Sequence, residues 1–167
     1  MLPDEVGRHT EQERAALLKE DILHYTQHLL HFDVIEIRLL DHETGELTPL
    51  LSYGLDREAA ERKIRAEGKG NGITGFVAST GKSYLCEETL RDQIYRTGAS
   101  GAKSSMTVPL MLHDQVIGTF NVESPIARAF SESDLQFLEI FSRAVANSLN
   151  TLDLLHAQQI DTAQQSV

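Results

Sequence analysis

The sequence predicts an α+β domain with a central antiparallel sheet, its N- and C-terminal helices on one face and an irregular helical lid on the other. Three observations carry that expectation. Two pairs of short segments alternate between apolar and polar residues, and each pair is joined by a tight turn, so its members must pair antiparallel. The chain begins and ends with helical stretches whose apolar residues need a surface to cover. Between the two pairs lies a middle segment broken by glycines.

Each element has its own local reason. Residues 11–31 read as a helix, because Leu18, Ile22, Tyr25, Leu29 and Phe32 recur at steps of four, three, four and three. Residues 34–41 form a strand, the run DHETGE turns the chain with Gly45 free to take positive φ, and residues 47–53 return as a second strand. Residues 57–65 make a short charged helix. Gly68, Gly70, Gly72 and Gly75 then punctuate the chain before a helix over 74–80. A phosphate loop needs Gly-Lys-Ser/Thr, whereas Gly68-Lys69 is followed by Gly70, and the preceding segment reads as a charged helix rather than a strand, so a hinge or flexible lid is expected. Residues 83–86 are a short strand. Residues 103–112 and 116–124 are longer strands, joined by a turn around His113, Asp114 and Gln115. Ser131 and Asp134 form a capping-box pattern that opens a long helix, with Ile160 as its furthest reach. One domain over residues 11–155 is expected, with a disordered stretch at 1–10 and a helix end and polar tail at 156–167.

Composition excludes several functions. The chain has 167 residues, 15 basic against 25 acidic, for a net charge of −10. A phosphate-binding face needs the opposite balance, so nucleic acid is not expected as a partner. No apolar run is long enough to span a membrane, and the first residues lack the order of a secretory leader, so a cytoplasmic setting is expected. The single cysteine, Cys86, rules out an internal disulfide and a paired-cysteine zinc site. His24, His28 and His31 share one side of the first helix but have no obvious carboxylate or thiol to complete a metal set, so no metal and no cofactor are expected. Charge is unevenly spread: residues 57–103 hold nine basic and six acidic residues, a net of +3, which leaves −13 for the flanks.

The runs GITGFVASTGKSYLCEETLRDQIY and KSSMTVPLMLHDQVIGTFNVESP, then Phe130 and Asp134 entering the last helix, resemble the GAF domain over roughly residues 21–155. The resemblance implies a small-molecule sensor or dimerisation module of a signalling protein, with any effector domain outside this chain. Cyclic-nucleotide-binding members carry an Asn-Lys…Phe-x-x-x-Asp-Glu motif. Here Asn121, Phe130 and Asp134 stand in place, but Val122 and Leu135 replace the lysine and the final glutamate. Bilin-binding members use a cysteine commonly followed by histidine, whereas Cys86 is followed by Glu87. Free-methionine-sulfoxide reductases, which are GAF enzymes, look closer than these two groups. Their catalytic cysteines fall near Thr74 and Gly98, and neither is a thiol, so no enzymatic activity is expected.

Strand parity supplies a candidate site of its own. Ile35, Ile37 and Leu39 share one face of their strand; Glu36 and Arg38 share the other. The same alternation separates Met106, Val108 and Leu110 from Ser105 and Thr107. It also separates Phe120 and Val122 from Thr119, Asn121 and Glu123. The apolar faces belong under the terminal helices, and the polar faces under the lid. In the reductase relatives the positions matching Ser105, Asn121 and Glu123 contact the ligand. The candidate ligand-binding set is therefore Glu36, Arg38, Ser105, Thr107, Thr119, Asn121 and Glu123, with Phe76 and Tyr95 from the lid. Lys69, Lys82, Arg91, Arg96 and Lys103 make the lid net positive, so the expected ligand is a small anion or zwitterion. The alternatives are a GAF scaffold that only dimerises, a methionine-sulfoxide-type reductase, or a cyclic-nucleotide sensor. A homodimer through the terminal helices is expected, because Leu152, Leu155 and their neighbours would otherwise expose leucines.

Overall fold

A computed structural model describes the backbone of residues 3–95 and 101–152, and the side chains of 12–95 and 101–152. Its elements are α1 (Pro3–Leu29), β1 (Val34–Leu40), β2 (Glu46–Tyr53), α2 (Arg57–Glu61), β3 (Ile64–Arg65), α3 (Gly72–Thr80), β4 (Tyr84–Cys86), a 3₁₀ turn at Thr89–Arg91, β5 (Ser104–Leu112), β6 (Gln115–Ser124) and α4 (Glu132–Thr151). The six strands form one sheet in the order β3-β2-β1-β6-β5-β4. Every pairing in it is antiparallel, β5 with β6 included. This is the α+β architecture expected.

Register turns the parity argument into a surface. Ile35 lies opposite Val122, and Val122 opposite Met106; Ile37 faces Phe120, and Phe120 faces Val108. These apolar residues form one core with Ile22 of α1, Leu30 just past its end, and Leu138, Val145, Ala146 and Leu149 of α4. Both terminal helices therefore cover the same face. On the opposite face Glu36 lies across from Asn121, Asn121 from Thr107, Ser105 from Glu123 and Arg38 from Thr119. A second apolar cluster, Ile73, Val77 and Cys86 with Phe76, Tyr84, Ile94 and Tyr95 around it, holds α3 against this face.

Local chemistry explains the turns and ends. Asp41 Oδ1 accepts from Glu43 N at 2.9 Å, and Gly45 takes φ 76°. His113 and Asp114 both take positive φ, 50° and 62°, as a two-residue hairpin turn of the primed kind requires. Ser131 and Asp134 complete the capping box: Asp134 N donates to Ser131 Oγ at 3.2 Å and Ser131 N to Asp134 Oδ2 at 2.8 Å.

Four expectations need correction. The segment 1–10 was expected to be disordered, but α1 starts at Pro3. The buried line of α1 is Ile22 and Thr26, continued by Leu30 just past its end, while Tyr25 and Leu29 are 55% and 54% exposed. Thr26 can be buried because its hydroxyl donates to Ile22 O at 2.6 Å. The charged helix expected over 57–65 stops at Glu61, and Ile64 and Arg65 become β3 beside Leu47 and Glu46. Tyr95 does not end a lid helix. Asp92 Oδ1 accepts from the amides of Ile94 (2.8 Å) and Tyr95 (2.9 Å), which turns the chain after the 3₁₀ turn. Arg96, Gly98, Leu155, Ile160 and the tail lie outside the described residues.

Candidate functional site

Between the sheet and the lid is a cavity of about 50 Å³. Its floor is Glu36, Ser105, Asn121 and Glu123; one wall is Leu55, Ala59, Arg62 and Ile64; the start of α3, from Asn71 to Thr74, and Tyr95 close it. Five of the nine candidate residues thus meet at one cavity: Glu36, Tyr95, Ser105, Asn121 and Glu123. Tyr95 Oη donates to Glu123 Oε1 at 3.1 Å across the closure.

The other four candidates do not line the cavity. Arg38 is fully buried beneath the wall. Its Nη1 donates to Leu47 O (2.9 Å) and Arg62 O (2.8 Å), and its Nη2 to Glu36 Oε2 and Ala60 O (both 3.2 Å) and Ala59 O (3.4 Å). Its Nε lies 3.2 Å from Glu36 Oε1. A guanidinium so engaged is not presented to a ligand. Thr107 Oγ1 donates to Asn121 Oδ1 at 2.8 Å, which orients the amide and leaves its Nδ2 for other partners. Thr119 is buried off the cavity, and its hydroxyl has no hydrogen-bond partner among the described residues. Phe76 stacks edge-on against Tyr84, ring centres 5.7 Å apart.

The cavity carries both signs of charge. Glu36 and Glu123 supply the negative side. Burial pushes the Glu36 carboxyl above the usual carboxylate range, against the opposing pull of the Arg38 guanidinium and then of Arg62. The positive side is Arg62 and the start of α3. Asn71 gives that helix no side-chain cap, because its Oδ1 accepts from Arg65 N at 3.0 Å and its Nδ2 reaches Lys69 O at 3.2 Å. Asn71, Gly72, Ile73 and Thr74 line the cavity, so the positive end of the helix lies beside it. Gly75 lets α3 sit this close: a Cβ there would lie 2.6 Å from Arg65 O and 2.4 Å from Asn71 Cβ. The cations expected from the lid are elsewhere. Lys69, Lys82, Arg91 and Lys103 are solvent-exposed.

Arg62 and the α3 start were not among the candidates. Arg62 stands in a charged run that reads as a solvated helix. An uncapped helix start opening on Gly72 is the legible signal for the other.

Cys86 is buried beside this site, and its strand neighbour across the ladder is Ser105. Burial, and then the Asp92 carboxylate, push its thiol up to about 12. The Tyr84 hydroxyl is likewise pushed up to about 12, by burial and by its 2.7 Å bond to Asp92. Burial alone would raise Asp92, but the bonds from Tyr84 and the amides of Ile94 and Tyr95 outweigh it and hold the carboxyl below its ordinary value. A thiol held this high contains almost no thiolate at neutral pH. Iodoacetamide is therefore expected to leave Cys86 unmodified in the folded protein and to alkylate it fully in urea. Rapid alkylation of the native chain, read by mass spectrometry, would contradict this environment. His24 and His28 are exposed on α1 with their rings stacked 6.0 Å apart, while His31 is exposed beyond the helix end at Leu29, so the three do not form one helical row. No group of three or more His, Cys, Asp or Glu among the described residues is placed to hold a metal ion.

The GAF domain family model matches residues 3–149. The chain belongs to the GAF domain family. No curated protein sequence matches this GAF domain significantly. Solved structures share its fold at low identity. The GAF domain of a phosphoenolpyruvate-protein phosphotransferase from Coxiella burnetii superposes with a TM-score of 0.73 at 14% identity, covering 86% of each chain. The type II free methionine-R-sulfoxide reductase of Thermoplasma acidophilum gives 0.72 at 15% identity, covering 85% of this chain and 96% of that one. The free methionine-R-sulfoxide reductase of Neisseria meningitidis, solved with its substrate, gives 0.71 at 17% identity, covering 85% and 81%. GAF domains are a sensor and signalling module family. No helix among the described residues is long and apolar enough to cross a membrane.

Proposed function

We propose that this GAF domain is a non-catalytic cytoplasmic sensor that binds a small zwitterionic or anionic metabolite and acts as a homodimer, with any effector outside this chain. The observation that carries the ligand reading is the juxtaposition in one cavity of Glu36 and Glu123 with Arg62 and the uncapped start of α3. Buried polar groups of both signs need partners of both signs. The cavity, about 50 Å³, has room for a charged head group or a few waters, one water needing about 10–15 Å³, and not for a flat chromophore. The non-catalytic reading is supported by Thr74, which lines the cavity where the reductases are expected to carry a thiol, and by the buried state of Cys86.

The dimer reading is supported by apolar side chains on the outside of the terminal helices. Leu17, Tyr25 and Leu29 of α1 are more than half exposed, and Ile140 of α4 is 71% exposed. Light scattering at tens of micromolar should give twice the chain mass; a monomer refutes this part.

A melting-temperature screen with amino acids, small carboxylates and cyclic nucleotides tests the ligand, since a compound that binds only the folded state raises its melting point. For a hit, Glu123→Gln is expected to weaken binding about 10- to 100-fold, the worth of one charge-assisted hydrogen bond. An unchanged affinity would place the ligand elsewhere. The 3.1 Å closure by Tyr95 over Glu123 favours one second reading, a scaffold whose pocket is filled by its own side chains, and a screen without hits supports it. Turnover of free methionine sulfoxide with thioredoxin, abolished by Cys86→Ser, would overturn the non-catalytic reading.

A further inference from the structure

The bonds made by Arg38 tie the cavity floor to a separate element. A helix leaves its last carbonyls without donors of its own, and α2 has no basic residue in its last turn. The donors come instead from the sheet: Arg38 reaches Ala59 O, Ala60 O and Arg62 O, the carbonyls that end α2. The same guanidinium is held from its other edge by both oxygens of Glu36, and Glu36 lines the cavity. One side chain pair thus joins the ligand-facing carboxylate to the end of a five-residue helix, too short to persist on its own bonds. The chain just after α2 is held largely by exposed groups, Arg65 Nη2 donating to Thr44 O at 2.7 Å and Arg65 N to Asn71 Oδ1 at 3.0 Å. Ile64 and Arg65 meet the sheet only at its edge, opposite Leu47 and Glu46. Arg62 and Ile64, in this same segment, form the cavity wall.

We propose that the Glu36–Arg38 pair is the coupling element through which a cationic group in the cavity releases segment 57–65. The inference rests on the cavity being a ligand site. Both Glu36 oxygens are engaged by Arg38, so a ligand ammonium that binds Glu36 draws on the charge that holds the guanidinium in place. Two cations then share one carboxylate, and the bonds from Arg38 to the α2 carbonyls weaken. The segment that loosens is the wall around the ligand, so occupancy and wall position are linked in both directions: anything that clamps 57–65 changes affinity by the factor by which the ligand changes clamping.

Amide hydrogen exchange of the full chain, read by mass spectrometry, tests the coupling. Glu36→Gln keeps the shape of the side chain and removes its charge. Exchange in 57–65 is expected to rise at least about tenfold more than exchange in α4, as local opening adds to whatever global stability the variant loses. An even rise across the chain overturns the proposal, because Glu36 would then be only a general support. A second arm needs no variant. Methylammonium chloride on the wild type should accelerate 57–65, while sodium chloride and sodium acetate at equal ionic strength should not; no acceleration by methylammonium overturns the coupling. Melting temperatures with the same salts separate the two readings. A rise with methylammonium and unchanged exchange in 57–65 keeps the cavity as a ligand site and rejects the coupling. Methylammonium without effect on either readout rejects the ligand site, and the coupling with it.

Discussion

Arg38→Met is expected to lose about 3–5 kcal/mol of stability, measured by urea unfolding. The side chain is fully buried, and methionine fills much of its volume, so the loss is electrostatic rather than a cavity effect. It leaves Glu36 buried without its counter-ion, and takes one donor each from the carbonyls of Leu47, Ala59, Ala60 and Arg62. The deficit also has a pH signature. Burial already raises the Glu36 carboxyl above 4.5, and Arg38 is the main influence opposing that rise. Without Arg38 the folded-state value climbs further. A carboxyl whose folded value lies above its unfolded one binds more protons in the folded state. Its contribution is fully present below the unfolded value and is lost as pH rises through the folded one. The deficit relative to wild type should therefore shrink toward pH 4.5 and grow above it. Arg57→Met is the control. That arginine is 89% exposed in its pair with Glu61, and its loss should stay within about 0.5 kcal/mol. A pH-independent deficit would mean that Glu36 is not the group left stranded.

Gly118→Ala is expected to cost about 3 kcal/mol, at the upper end for an overpacked core. Gly118 sits in β6 between Leu39 of β1 and Leu110 of β5. A Cβ there would lie 2.2 Å from Arg38 O and 3.2 Å from Arg38 C. These are backbone atoms of a central strand, so relief requires the β1–β6 ladder to separate. Gly81→Ala gives the contrast. Its φ of 70° is unfavourable for an L side chain, but its nearest neighbour, Val116 Cγ2, is at an ordinary 3.6 Å. Conformation alone should then cost about 1–2 kcal/mol. Denaturation midpoints of the two variants rank the effects; a milder Gly118→Ala would show that the two central strands can part.

The sheet is legible in the sequence because side-chain alternation is strict where one face is apolar. Ile35, Ile37, Met106, Val108, Phe120 and Val122 separate cleanly from Glu36, Ser105, Thr107, Asn121 and Glu123, and the registers keep that separation. The motif series around Gly72–Gly75 and Pro109 marks the family as well. The hidden features depend on partners distant in sequence. Arg38 stands on the polar face as a ligand contact would, and only the fold brings the end of α2 onto it. β3 has two residues and no pattern to read. The inward line of α1 eludes a reading by hydropathy, which ranks Tyr25 and Leu29 above Thr26. The threonine satisfies its hydroxyl within its own helix, and Leu30, one position on from Leu29, continues the buried line. The positive side of the cavity escapes for a related reason. Charge counting points to lysines, whereas Arg62 and a helix start reach the site by position.

The sheet order has a consequence for how this chain is made. Its two middle strands, β1 and β6, come from opposite ends of the domain, and their ladder pairs Val34 with Glu123 and Leu39 with Gly118. On a ribosome the first hairpin emerges early and must wait, its apolar face uncovered, until β6 and then α4 have left the exit tunnel. Contacts that close loops this long form slowly. The interval in which β1 lacks its neighbour is the period when a chaperone, or a second nascent copy offering its own β6, can reach that open edge.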